Sequence, residues 1–173
     1  ALQAAAELAA EARVEAALRD RERKLPWREI ERFTASGLGS IAIPREYGGP
    51  GVSFVTLAEV FRLISVADPA LGQIPQNHFG ILQLLQACAS EAQKRRLYQS
   101  VLEGWRIGNA GPERGTKHTL DIQAQLLRDG DGYRLSGEKF YSTGALFAHW
   151  VVAKARDDEG RVRLAFIRRG SPG

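Results

Sequence analysis

The sequence is short of cysteine, of long apolar runs and of clustered metal ligands, and each shortage removes a class of function. Among 173 residues there is one cysteine, Cys88, which excludes an internal disulfide and a multi-cysteine metal site. Cys88 lies among Leu84, Leu85, Ala87 and Ala89, and the expectation is a small buried apolar side chain rather than a reactive thiol. The three histidines, His78, His118 and His149, share no helical ligand spacing, so no metal is expected. No stretch approaches the roughly 18 apolar residues of a membrane span, and the first residues alternate Ala, Glu and Arg without an apolar core leading to a cleavage site. The expectation is a cytoplasmic protein with no membrane partner. Internal repeats and low-complexity tails are also missing. Net charge is +4, with Arg156, Arg161, Arg163, Arg168 and Arg169 gathered late. No recognition motif accompanies that charge, so it reads as exposed strand faces or as partners for surfaces outside the chain, and no nucleic-acid partner is expected.

What is present is ordinary globular material, 44% hydrophobic and 25% charged. Residues 1–23 are rich in Ala, Glu and Arg without Gly or Pro, which predicts a helix whose apolar face is mostly alanine. Pro26 suits a first helical position, with Trp27, Ile30 and Phe33 on the buried side and Gly37 as the stop. Ser53 caps the next helix, where Leu57, Phe61 and Ile64 recur at helical spacing. Asp68-Pro69 reads as the cap and first position of another helix, which Pro75 should kink or break. Ser90 and Gln93 form a capping-box pattern opening a helix that stops near Gly104. After Trp105 the texture turns to strands, with turns at 129–132 and 157–160. The predicted fold class is therefore α+β, an all-α domain over 1–104 followed by an antiparallel β domain over 105–173.

One stretch asks for a chemical explanation. Residues 137–150 read GEKFYSTGALFAHW, with hydroxyls set between large rings. Read as a strand, it puts Tyr141 and Thr143 on one face and turns Ser142 away, while Gly144 permits close backbone approach. Such a stretch is either a strand end with core aromatics or the wall of a pocket for a flat polar ligand.

Four motifs in order, SGLGSIAIPREYGGPGVSFVTLAEVF, SVADPALG, SEAQKRRLYQSVLEGWRIGNAGPE and DGYRLSGEKFYSTGA, resemble the acyl-CoA dehydrogenase superfamily over nearly the whole chain. QNHFG at 76–80, GNA at 108–110 and FYSTGALFAHW at 140–150 resemble its sulfur-acquisition branch, the dibenzothiophene monooxygenase-like flavoenzymes. The resemblance implies that the segment 139–145 lines a flavin ring, with Tyr141 beside it, Thr143 near N5, and Ser142 and Gly144 in the same segment. It implies Asn109 and Glu113 on a second flavin-facing segment, with Asn109 near the reactive face. Pro112 stands where relatives carry Ser or Thr, so one contact to the flavin edge is lost. The branch also carries a histidine on the helix of His78, which makes His78 and Asn109 the candidate catalytic residues and Phe79, Phe147 and Trp150 the substrate-pocket walls. Lys117-His118 is a weaker candidate for a flavin phosphate. Relatives continue into a further helical bundle, and residues 1–173 alone are expected not to turn over substrate.

The resemblance implies a two-component monooxygenase taking reduced FMN from a separate flavin reductase and oxidising a small organosulfur compound, as a homo-oligomeric dimer or tetramer. FMN is favoured, with FAD the alternative. Two other readings stay open: an FAD-dependent acyl-CoA dehydrogenase, for which no carboxylate base can be assigned, and a non-catalytic helical interaction fragment.

Overall fold

The computed structural model describes residues 1–118 and 120–171. Its contacts divide the chain into two compact units, Ala1–Arg106 and Ile107–Gly173.

The first unit is helical. Helix α1 (Leu2–Glu22) buries Ala5, Leu8, Ala9 and Ala12, a stripe at helical spacing whose small side chains let α1 pack closely on α3 (Phe54–Ala67). Helix α2 (Trp27–Ala35) buries Ile30 and Phe33 but leaves Trp27 40% exposed. Pro26 takes the cap position, one residue earlier than its sequence suggested, so Trp27 opens the helix on its outer side. Between α2 and α3 the stretch 38–52 buries Leu38, Ile41 and Ile43 through two short 3₁₀ turns, Leu38–Ser40 and Arg45–Tyr47. Gly49 is obligatory there, because a Cβ would lie 2.2 Å from the Ile43 carbonyl oxygen.

Local signals set the next boundaries. Ser53 accepts from Thr56 N to cap α3, and Asp68 caps α4 (Pro69–Gln73) through Ala70 N and Leu71 N. Pro75 interrupts the run, and α5 (Gln76–Cys88) begins after it. The capping box of Ser90 and Gln93 opens α6 (Glu91–Leu102). Cys88 is exposed, against the expectation of burial. It is the last residue of α5, where no further turn follows to cover it, while Ile81, Leu82 and Leu85 take buried positions. No helix among the described residues is long and apolar enough to cross a membrane.

The second unit is a sheet of β1 (Ile107–Ala110), β2 (Gln125–Asp129), β3 (Gly132–Ser136), β4 (Trp150–Arg156) and β5 (Val162–Arg168). It is mixed rather than antiparallel. The hairpins β2–β3 and β4–β5 are antiparallel, but β1 runs parallel to β4, with Ile107 opposite Trp150 and Ala110 opposite Ala153. Strand β2 touches β4 only at Gln125 and Arg156, also in parallel. Two long connections, 111–124 and 137–149, are therefore needed to bring parallel partners together. The β2–β3 turn has Gly130 at φ +59 as its first central residue, the position that a II′ hairpin gives to glycine. Ile122, Ala124 and Ala155 form a small core beneath this hairpin, with Leu126 and Leu135 packed on it.

Candidate active site

Residues 137–144 are not a strand. Tyr141 sits at φ +52, one of two described non-glycine residues with a left-handed backbone. Its carbonyl accepts from Thr143 N at 2.9 Å, closing a tight turn around Ser142. The alternation expected for Tyr141, Ser142 and Thr143 is thus replaced by a turn, and the Tyr141 ring projects outward, 81% exposed. A left-handed conformation at a bulky residue carries strain, and such strain concentrates at functional sites.

This turn is tied to the edge of the sheet. Asn109 N donates to Thr143 O at 3.2 Å. Beside it, Gly108 leaves no room for a side chain, since a Cβ would lie 2.6 Å from Ala145 Cα. Gly144 at φ +78 then leads into a 3₁₀ turn, Ala145–Phe147. Asn109, Ser142 and Thr143 are half-buried, and no hydrogen bond engages their side chains among the described residues. One amide and two hydroxyls are therefore available on adjoining segments. They can address the polar edge of a flat ligand, with the exposed Tyr141 ring nearby as an apolar surface.

Glu113 is occupied differently. Its side chain is 7% exposed and pairs with Lys139, itself 10% exposed. Its Oε2 accepts from Gln123 N at 2.6 Å, and its Oε1 accepts from Ala124 N at 3.1 Å and from Lys139 Nζ. Burial pushes this carboxyl up, but the Lys139 ammonium and the two backbone N–H groups outweigh it and hold it below the usual range. Both oxygens of the residue expected at a flavin edge are engaged within the chain. Pro112 is engaged through its carbonyl, which accepts from Phe140 N at 2.9 Å. The Phe140 ring lies 4.0 Å from the Arg114 guanidinium carbon.

A recess of about 220 Å³ lies on the same unit, lined by residues of 111–113 and by Thr116, His118, Asp121 and Ile122. Asp121 is engaged by Lys117 N and Gln123 Nε2. His118 Nδ1 accepts from Leu120 N at 3.3 Å. Phe147 and Trp150, expected as substrate walls, are buried, Trp150 in register with Ile107 and Arg168.

His78 and Phe79 belong to the helical unit. The His78 ring is buried and its Nε2 donates to Gly39 O at 2.7 Å, which assigns the proton to Nε2. Burial lowers its pKa to about 4, so the ring is neutral near pH 7. Phe79 packs edge-on against Phe33, Phe61 and the His78 ring. Among the described residues, no group of three or more His, Cys, Asp or Glu side chains is arranged to hold a metal ion. Lys139, which engages Glu113, was not among the residues expected at the site. Its only signal in the sequence is a lysine two positions after Gly137.

Comparison with known proteins places this architecture. Dibenzothiophene monooxygenase of Rhodococcus erythropolis is 36% identical over 168 residues, 92% of this chain and 40% of the relative. Among solved structures, FMN-bound TdsC from Paenibacillus sp. A11-2 superposes with a TM-score of 0.86 at 34% identity, covering 96% of this chain and 43% of that one. Methanesulfinate monooxygenase MsuC from Pseudomonas fluorescens does so with 0.86 at 27% identity, over 99% and 44%. The chain spans about two fifths of the length of the curated relatives it matches. Residues 1–105 fit the family model described as acyl-CoA dehydrogenase, N-terminal domain, and since that is more than half of the chain, the protein belongs to the acyl-CoA dehydrogenase family.

Proposed function

We propose that the chain is the flavin-facing part of a two-component monooxygenase that uses reduced FMN and O2 to oxidise a small organosulfur compound. The observation that carries this is that the Asn109 amide and the Ser142 and Thr143 hydroxyls have no hydrogen-bond partner among the described residues, on two segments joined by the Asn109 N to Thr143 O bond. These groups fit a flavin: its ring edge needs a few fixed hydrogen bonds, and its face needs an apolar surface such as the Tyr141 ring. The relatives support the same reading, two being monooxygenases of sulfur compounds and one binding FMN.

When bound, reduced flavin supplies the two electrons that let one oxygen atom of O2 reach sulfur while the other leaves as water. Within this chain Thr143 and Ser142 hold the ring edge, Gly144 allows close approach, and the Asn109 amide orients a polar atom of substrate or oxygen. Tyr141 helps to keep water from the reacting face. We assign Glu113 to shaping the site and Phe147 and Trp150 to supporting it from within the sheet unit. His78 and Phe79 are assigned to the helical core, because the His78 Nε2 proton is already held by a carbonyl. A separate reductase supplies the reduced FMN, and the enzyme works as a homo-oligomer.

Acyl-CoA dehydrogenation requires a carboxylate base. Glu113 and Asp121, the carboxylates lining the recess, are both engaged, so neither is assigned that task. The deciding experiment reconstitutes the full-length enzyme with reduced FMN and a panel of sulfides, sulfones and acyl-CoAs. Oxygenated sulfur products that require a reductase are expected. Tightly held FAD with turnover of acyl-CoAs and no need for a reductase would sink the proposal.

A further inference from the structure

We propose that Lys139 is the positioning residue of this site, fixing where the Asn109 amide stands without touching a ligand itself. Its ammonium is nearly enclosed and reaches two partners, the Glu113 carboxylate and, at 3.4 Å, the Gly111 carbonyl oxygen. Gly111 is in turn the residue against which Asn109 folds: a Cβ on Gly111 would lie 3.1 Å from Asn109 Oδ1. Moving the 111 backbone therefore moves the surface on which the amide rests.

Three links join the segment 109–113 to the segment 139–143. Asn109 N donates to Thr143 O, Phe140 N donates to Pro112 O, and Lys139 Nζ donates to Gly111 O and Glu113. The first two are backbone bonds that almost any residue can make. The third depends on a side chain with several donors on a long stem, which is lysine's chemistry. Glu113 extends the link to the backbone of Gln123 and Ala124, so one ammonium organises the start and the end of the 111–124 connection. Arginine is no equivalent, because its planar guanidinium is larger than the nearly enclosed space that the ammonium fills.

The functional meaning of this role rests on the flavin reading, whereas its geometry does not, and the test separates them. In flavin-free full-length enzyme, Lys139→Met is expected to speed amide hydrogen exchange at Asn109, Phe140, Gln123 and Ala124 by about tenfold or more, with the β4–β5 ladder unchanged. With FMN present, Lys139→Met is expected to lower product formed per flavin oxidised by about tenfold, and Asn109→Ala, costly to that coupling in the native enzyme, to cost little more in that background. Unchanged exchange at those four amides, or fully additive losses of coupling, would overturn the proposal. Should Lys139→Met fail to fold, Lys139→Arg keeps the charge; it is expected to lower FMN affinity by more than its fall in melting temperature accounts for, and native affinity in that variant refutes the role. A native enzyme that binds no FMN defeats the flavin reading, while the exchange measurement still judges Lys139.

Discussion

The helical unit and the sheet unit both pair their buried charges but differ in what they leave open. In Ala1–Arg106 the buried polar groups close on one another. Arg19 bridges Glu29 at 2.9 Å and Asp68 at 2.7 Å, all three nearly inaccessible, and only the Arg19 Nε within that set lacks a partner. His78 donates to Gly39 O, and Tyr98 donates to Leu82 O at 3.1 Å. In Ile107–Gly173, by contrast, an amide and two hydroxyls remain open at the end of β1. All three are half-buried, so leaving them without a protein partner costs less than the about 1–3 kcal/mol of a fully buried group. On the function proposed above, the open groups at the end of β1 are kept for a ligand, whereas the closed groups of the helical unit hold its fold.

Substitution at Arg19 should have the largest effect. Arg19→Met leaves two buried carboxylates without their cation, which typically costs about 3–5 kcal/mol. The thermal midpoint should fall by roughly 10 °C, with FMN affinity unaltered in the variant that remains folded. Calorimetry paired with flavin titration reads both, and a loss of affinity without a loss of stability would place Arg19 in the wrong group.

His78 gives the next effect, through pH. Its folded pKa is depressed by burial, to about 4 from 6.5, so the unfolded chain takes up the proton first. The stabilisation is complete above about pH 6.5 and is lost as pH falls toward 4, amounting to about 3 kcal/mol. His78→Gln keeps a donor for Gly39 O and should flatten that part of the stability profile. Urea titrations at pH 7, 5.5 and 4.5 check this, and an unchanged slope in the variant excludes His78 as its source.

In the sheet unit the expected balance reverses. Asn109→Ala should lower product formed per flavin oxidised by about tenfold and raise hydrogen peroxide release, a loss near 1.4 kcal/mol in the reaction. The melting temperature should barely move, because the amide has no partner to lose. Coupled oxygen and product assays decide; native coupling would remove Asn109 from the mechanism. Smallest is Thr143→Ala, where one hydrogen bond to ligand contributes about 0.5–1.5 kcal/mol. FMN affinity should drop by a few fold, measured by fluorescence titration, and no change would place the hydroxyl away from the ring edge.

Much of the fold was legible because it is written locally. Asp68 before Pro69, Ser53, the Ser90–Gln93 pair and the glycine turn at 129–132 each act on residues within four positions, and each stands where its chemistry requires. What escaped depends on distant partners. Parallel pairing of β1 with β4 leaves no periodic trace in either strand. The 137–144 stretch carries strand-like aromatics, yet the Asn109 and Pro112 anchors bend it into a turn at Tyr141. Cys88 looked buried because its neighbours are apolar, but a helix end turns some of its apolar residues outward. The open hydroxyls were visible as residue types, whereas the engagement of Glu113 by Lys139 was not, since 26 positions separate them.

The topology of β4 also has a consequence for the order of assembly. Its hairpin with β5 closes over a short turn, as does β2 with β3, and hairpins of this kind form in about 1–10 μs. Strand β1 meets β4 only across roughly forty intervening residues, so its loop-closure entropy must be overcome before any pairing rewards it. The Asn109 to Thr143 bond is therefore expected among the last contacts made and, under mild denaturant, among the first released. Pulse-labelled exchange should find 132–136 and 162–168 protected while Asn109 still exchanges. The chemistry would then depend on the slowest-forming edge of the sheet, which lets catalytic competence fade in stressed enzyme well before its secondary structure does.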